Sequence, residues 1–105
     1  KGMLYPGILN MSLFGLLGIG DLYRLKKNFV IAENCFLECL NICKDLNLND
    51  KSLEASTYEY LGRLYRDMED KKLAKDYFSR TYDLFKSTGN EKLASSVLQE
   101  LKMLR

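Results

Sequence analysis

Gly20-Asp21-Leu22-Tyr23-Arg24 returns 42 residues later as Gly62-Arg63-Leu64-Tyr65-Arg66. The same offset carries Leu16 and Ile19 onto Tyr58 and Leu61, Ala32 onto Ala74, Phe36 onto Phe78 and Lys44 onto Lys86. A fixed period over this span is the mark of a supersecondary unit that is duplicated and stacked, because one such unit cannot bury its apolar face alone.

Around the repeated pentapeptides the apolar residues recur at three-and-four spacing. Leu9, Leu13, Leu16, Leu17 and Tyr23 share a first helix expected from Pro6, whose fixed φ suits a first helical position, to about Lys26. Phe29, Ala32, Phe36, Cys39, Leu40 and Cys43 mark a second helix over about 28–46. Asn47-Leu48-Asn49-Asp50-Lys51 reads as a polar connection, with Ser52 as the expected N-cap of a third helix that ends near Met68. A turn at Glu69-Asp70 leads to a fourth helix, Lys71 to Ser87, after which Gly89 supplies a left-handed stop. Asn90 caps a last helix to about Leu104. No run alternates with period two, so the fold class is all-α: five helices in antiparallel helix-turn-helix repeats, an α-solenoid. The units are 6–46, 52–87 and a single capping helix, 91–104, within one domain. Small residues let paired helices approach closely, so Gly20 is expected opposite Ala32 and Gly62 opposite Ala74. Tyr23, Phe36, Tyr65 and Phe78 then fill the space between neighbouring helices.

Composition narrows the function classes. With 105 residues, 47% hydrophobic and 29% charged, the chain is proportioned like one globular domain. Its 16 basic and 14 acidic residues are dispersed, with no basic stripe for a phosphate backbone, and nucleic acid is not expected as a partner. The most apolar stretch, Ile8 to Ile19, is too short to span a bilayer and is broken by Asn10, Ser12, Gly15 and Gly18, so no membrane association is expected. Pro6 and Asn10 likewise interrupt any secretory leader. Cys35, Cys39 and Cys43 form a stripe along one helix, poorly oriented for disulfides and consistent with reduced thiols in a cytoplasmic protein. The chain has no histidine, which removes the commonest general base and fourth zinc ligand. Gly18-x-Gly20-x-x-Tyr23 lacks the third glycine and the preceding strand of a dinucleotide fingerprint. No catalytic residue, cofactor or metal site is expected.

The pattern apolar-x-x-apolar-Gly-x-x-Tyr, followed nine residues on by Ala and four later by Phe, resembles the tetratricopeptide repeat. Leu16, Ile19, Gly20, Tyr23, Ala32, Phe36 and Cys39 carry it in the first unit; Tyr58, Leu61, Gly62, Tyr65, Ala74, Phe78 and Thr81 carry it in the second. Departures are Lys27 and Glu69 at the turns, where a small residue is usual, and Lys44 and Lys86 in place of a closing proline. The period also exceeds the family's usual length of about 34 residues. It is similar to the extended repeats of bacterial peptide-pheromone regulators and some animal polarity adaptors.

This resemblance implies a scaffold that binds a protein or peptide in a concave groove lined by the first helix of each unit. By position the groove would present Phe14, Leu17, Asp21, Arg24 and Leu25 from the first unit, and Ser56, Glu59, Arg63 and Arg66 from the second. Arg24 and Arg66 recur equivalently and their guanidinium forks suit peptide carboxylates. The alternative for both is ordinary surface pairing with Asp21, Glu59, Asp67 or Glu69. Chaperone-binding members of the family grip a terminal carboxylate with lysine and asparagine at set groove positions, and the asparagine positions here hold Asp21 and Arg63, so that activity is not implied. A second expected surface is the first helix, with few polar residues on any face over Ile8 to Ile19, through which the chain would homo-oligomerise or meet further repeats; the alternative is a central helix buried by its own fold. Starting at Lys1 without an initiator methionine, the chain is expected to be part of a longer array, or else a peptide-sensing piece of a regulator.

Overall fold

The computed structural model describes the backbone of residues 6–104 and the side chains of residues 12–104. Its elements are α1 (Pro6–Leu25), α2 (Phe29–Asp45), α3 (Lys51–Asp67), α4 (Lys71–Ser87) and α5 (Glu91–Met103). Each helix packs on the next, and α1 also meets α3, so that α1, α3 and α5 form one layer and α2 and α4 the other. The assembly is elongated, 49 × 34 × 19 Å.

The turns explain the period. After α1, the Asn28 N–H reaches the Tyr23 carbonyl at 2.9 Å and the Lys27 N–H reaches Arg24, the six-to-one and five-to-two bonds of a Schellman stop. The same pair of bonds recurs at Asn47-Leu48, Glu69-Asp70 and Gly89-Asn90. In three of the four turns the residue that closes the stop also caps the next helix: the Asn28, Asp70 and Asn90 side chains accept from the N–H groups of Ile31, Leu73 and Leu93. The α2–α3 turn instead inserts Leu48 and Asn49 before its cap. That insertion accounts for an offset of 42 from α2 to α4 but only 40 from α3 to α5.

Two expectations need correction. The cap of α3 is Asp50, not Ser52: the Asp50 carboxylate accepts from the Leu53 N–H at 3.0 Å, and α3 has already begun at Lys51. The left-handed stop is not confined to Gly89, since Lys27, Asn47 and Glu69 also take positive φ, at 64°, 52° and 63°. For lysine and glutamate this conformation costs about 1 kcal/mol, which the two Schellman bonds and the packing of the helix pair offset.

The core is continuous from Leu13 and Leu17 on α1 to Val97 on α5. Phe36 and Phe78 at its centre are fully buried. A Cβ built on Gly20 would stand 2.6 Å from the Phe36 ring, and one on Gly62 would stand 2.8 Å from Phe78. The atoms nearest these glycines are thus chiefly those of the phenylalanine rings, and Ala32 and Ala74 are fully buried in the same helix pairs. Between the repeats, Phe36 stacks on Tyr60 at 5.5 Å and the Tyr65 hydroxyl donates to Glu33 of α2; within the second repeat, Tyr65 stacks on Tyr77 at 5.6 Å.

Candidate functional site: a cleft between the third and fifth helices

Leu17 and Glu59 are equivalent by the 42-residue offset, and their surroundings differ. Leu17, expected to face a groove, is 1% exposed: α3 packs against α1 and the side chain lies in the core. In the second unit Ser56 and Glu59 replace Phe14 and Leu17, and no Cα of α5 comes within 8 Å of one in α3. A cleft of about 340 Å³ opens there. Ser52, Ser56 and Glu59 of α3 form one wall, Leu93 of α5 the other, Phe85 of α4 the floor, and Thr88 and Asn90 line it from the α4–α5 turn.

Of the nine residues expected at a groove, Ser56 and Glu59 thus share one cavity, and Arg63 adjoins them through a 2.9 Å bond to Glu59. The Arg63 guanidinium lies 5.4 Å from the Tyr60 ring centroid. Phe14 is 40% exposed on α1. Leu25, with Arg24, Lys27, Phe29 and Asp67, borders a separate hollow of about 450 Å³ at the α1–α2 turn. Phe85, Thr88, Asn90 and Leu93 were not anticipated, because they belong to the cleft only through the path of α5.

Arg24 and Arg66 are occupied within the fold. Arg24 donates to Asp21 at 2.8 Å and to Asp67 of α3, and only 10% of its side chain is exposed. Burial alone would lower the Arg24 pKa, but the hydrogen bonds and charges of Asp21 and Asp67 outweigh it, and the net shift is upward. Arg66 bridges to Glu100 of α5 at 2.8 Å and approaches Asp67 at 3.4 Å. The two arginines form equivalent struts, α1 to α3 and α3 to α5. Asp21 is held in the first of them.

The cysteine stripe divides between two contacts: Cys35 lies beside Gly20 of α1, whereas Cys39 and Cys43 lie on the side of α3. Cys39 is buried with its Sγ 3.5 Å from the Thr57 hydroxyl, and Cys43 borders a hollow of about 380 Å³ with Tyr58 and Arg80. Burial, followed by the neighbouring Cys39, pushes the Cys43 thiol up to about 11, and burial also raises Cys39. Both are held as thiols near neutrality, the form that is neither nucleophile nor metal ligand. Among the described residues no three Cys, Asp or Glu side chains gather as a metal site, and no helix is long and apolar enough to cross a membrane.

Comparison with curated proteins and with solved structures finds no match. The tetratricopeptide repeat family model matches residues 12–87, the span that holds both helix pairs, their glycine–phenylalanine contacts and the strut between them. By that match over most of its length, the chain belongs to the tetratricopeptide repeat family.

Proposed function

We propose that the chain is a non-catalytic protein-interaction scaffold whose cleft between α3 and α5 receives a peptide segment of a partner protein. Membership of a family of interaction modules supports the general role. The observation that carries the site is the replacement of Leu17 by Glu59: the contact sealed between α1 and α3 is open between α3 and α5. Phe85 and Leu93 offer an apolar seat for one side chain, and Ser52, Ser56, Thr88 and Asn90 offer hydrogen bonds to a peptide backbone. Glu59, already shared with Arg63, favours a cationic or amide group beside the apolar anchor.

The test is selection of peptides from a random library against the intact chain, followed by titration of the best binder and mapping by amide chemical shifts. Shifts should cluster at Ser56, Glu59 and Leu93, and filling the cleft with Ser56→Phe should weaken binding at least tenfold. Binders that map elsewhere, or are indifferent to Ser56→Phe, would refute the cleft as the site.

A further inference from the structure

Among the charged residues expected at a groove, Glu59 and Arg63 stand apart from the rest. Arg24 ties α1 to α3 and holds Asp21, and Arg66 ties α3 to α5, so three of the five charges are committed to joining helices or to a partner that does. Glu59 and Arg63 pair only with each other among the described residues, four positions apart on α3, through a single 2.9 Å bond. A part-exposed pair within one helix contributes little to stability. Arg63 uses one of its N–H donors and Glu59 one of its oxygens, which leaves each with capacity for a second partner. The pair is also held in place, because the Arg63 guanidinium lies 5.4 Å from the centroid of the Tyr60 ring and that ring is stacked on the fully buried Phe36.

These groups follow a fixed order along α3. Ser56, Glu59 and Arg63 recur at three-and-four spacing and so share one face of the helix. The apolar seat made by Phe85 and Leu93 lies with Ser52 and Ser56, Glu59 borders the same cleft, and Arg63 stands one turn further on, beyond its lining. At a helical rise of about 1.5 Å per residue, Glu59 lies about 4.5 Å along the axis from Ser56, and Arg63 about 6 Å beyond Glu59. An extended chain advances about 3.3 Å per residue. A peptide lying along α3 therefore meets a carboxylate about one residue from its apolar anchor and a guanidinium about two residues after that. A surface that reads apolar, negative, positive accepts a segment that reads apolar, positive, negative; the opposite order sets like charges against each other.

We propose that the cleft selects its partner by charge order, taking an extended segment in which an apolar residue is followed, in one chain direction, by a basic residue and about two residues later by an acidic one. Glu59 accepts from the basic side chain, and the acidic side chain accepts from the N–H donors of Arg63 that Glu59 leaves free. Such selection rests on the reading of the cleft as a peptide site and names the kind of peptide that fits it.

The probe is a library of peptides, acetylated at one end and amidated at the other so that every carboxylate is a side chain, with a fixed leucine flanked on both sides by positions drawn from lysine, glutamate, glutamine and serine. Peptides retained by the intact chain are sequenced. Wild type should enrich lysine beside the leucine, with glutamate two positions further, at least fivefold over the same peptides with lysine and glutamate exchanged. The double variant Glu59→Arg, Arg63→Glu keeps an ion pair on α3 and should invert that preference. Arg63→Gln should lose the selection for glutamate while keeping that for lysine. Exchanging Asp76 and Arg80, a pair of the same spacing on α4 outside the cleft, should leave the order unchanged. Circular dichroism should show wild-type helicity in each variant, because these side chains are part-exposed. Retained peptides with no charge order, or an order that the exchange on α3 fails to invert, overturn the proposal and leave the cleft standing as a site. Failure to retain any peptide, or retention indifferent to Ser56→Phe, overturns the cleft reading and the charge order with it.

Discussion

The Arg24 guanidinium on α1 is bonded to the Asp67 carboxylate on α3, 43 residues along the chain, and joins the two repeats at their turn ends. With Arg24 largely buried and held also by Asp21, the pair is more constrained than a solvated surface bridge. Replacing Arg24 with alanine should cost about 1–2 kcal/mol, because Asp67 then loses a charged donor in a half-dry setting. In a double-mutant cycle with Asp67→Ala, urea denaturation should return a coupling of about 1 kcal/mol. A coupling within error of zero would mean that the Arg24–Asp67 pair adds nothing to the contact between the repeats, which then rests on apolar packing and the Tyr65–Glu33 hydrogen bond.

Four glycines on two helices should respond to alanine with opposite signs. At Gly20 and Gly62 the added methyl group would stand 2.6–2.8 Å from a fully buried phenylalanine ring. Overpacking of this kind costs about 1–3 kcal/mol, more than the helix-propensity gain of about 1 kcal/mol. Gly15 and Gly18 meet nothing within 4 Å, so Gly15→Ala and Gly18→Ala should stabilise the chain by up to about 1 kcal/mol each. Urea midpoints for the four single variants decide the matter; a rise on Gly62→Ala would show that the Phe78 ring can move aside.

At the turns, Lys27→Gly and Glu69→Gly should each raise stability by about 0.5–1 kcal/mol, since glycine adopts the observed positive φ without the steric penalty of a side chain. Asp50→Ala should lower it by about 1 kcal/mol through loss of the α3 cap, while Ser52→Ala should stay within about 0.5 kcal/mol of wild type. Thermal melts of this set would reverse the assignment of the cap if Ser52→Ala proved the costlier change.

Alkaline pH should weaken the fold. The Cys43 thiol, ordinarily at 9.0, is raised to about 11 by burial and by Cys39, and burial, with the Glu33 hydrogen bond, raises Tyr65. Above pH 9 the unfolded chain gives up the Cys43 proton while the folded chain keeps it. The unfolded state then binds fewer protons, and stability falls as pH rises. The stabilisation is fully present below pH 9 and is lost as pH climbs towards about 11. Denaturation midpoints should decline over this window in wild type and less steeply in Cys43→Ser; equal slopes in both would remove the thiol from the explanation.

The helices and their stacking were legible because each rests on local chemistry: three-and-four spacing, a capping residue, a repeated glycine and phenylalanine. The site was legible only in part. The offset placed Leu17 and Glu59 at one position of the repeat, but whether that position is sealed depends on the distance to the next first helix, which the sequence carries only indirectly. For Arg24 the sequence reading names both acceptors, Asp21 and Asp67, as surface partners, but Glu100, which holds Arg66, lies 34 residues away on α5 and is not among them. The hint was present in the polarity of Ser56 and Glu59, where the first unit has Phe14 and Leu17.

This difference between equivalent positions makes the last prediction asymmetric. Leu17→Ala removes a side chain that is 1% exposed from a sealed contact, and should cost about 2–5 kcal/mol. Glu59→Leu introduces the first repeat's residue into the cleft and breaks the 2.9 Å bond to Arg63, a half-exposed pair worth at most about 1 kcal/mol. Because α5 is too far from α3 to close over the new leucine, Glu59→Leu should leave stability within about 1 kcal/mol of wild type while altering which peptides bind. The two variants separate the roles cleanly, one changing the denaturation midpoint and the other the affinity. Should Glu59→Leu instead stabilise the chain by several kcal/mol, α5 must be able to collapse onto α3, and the cleft would be a consequence of one charged side chain rather than of how the helices are spaced.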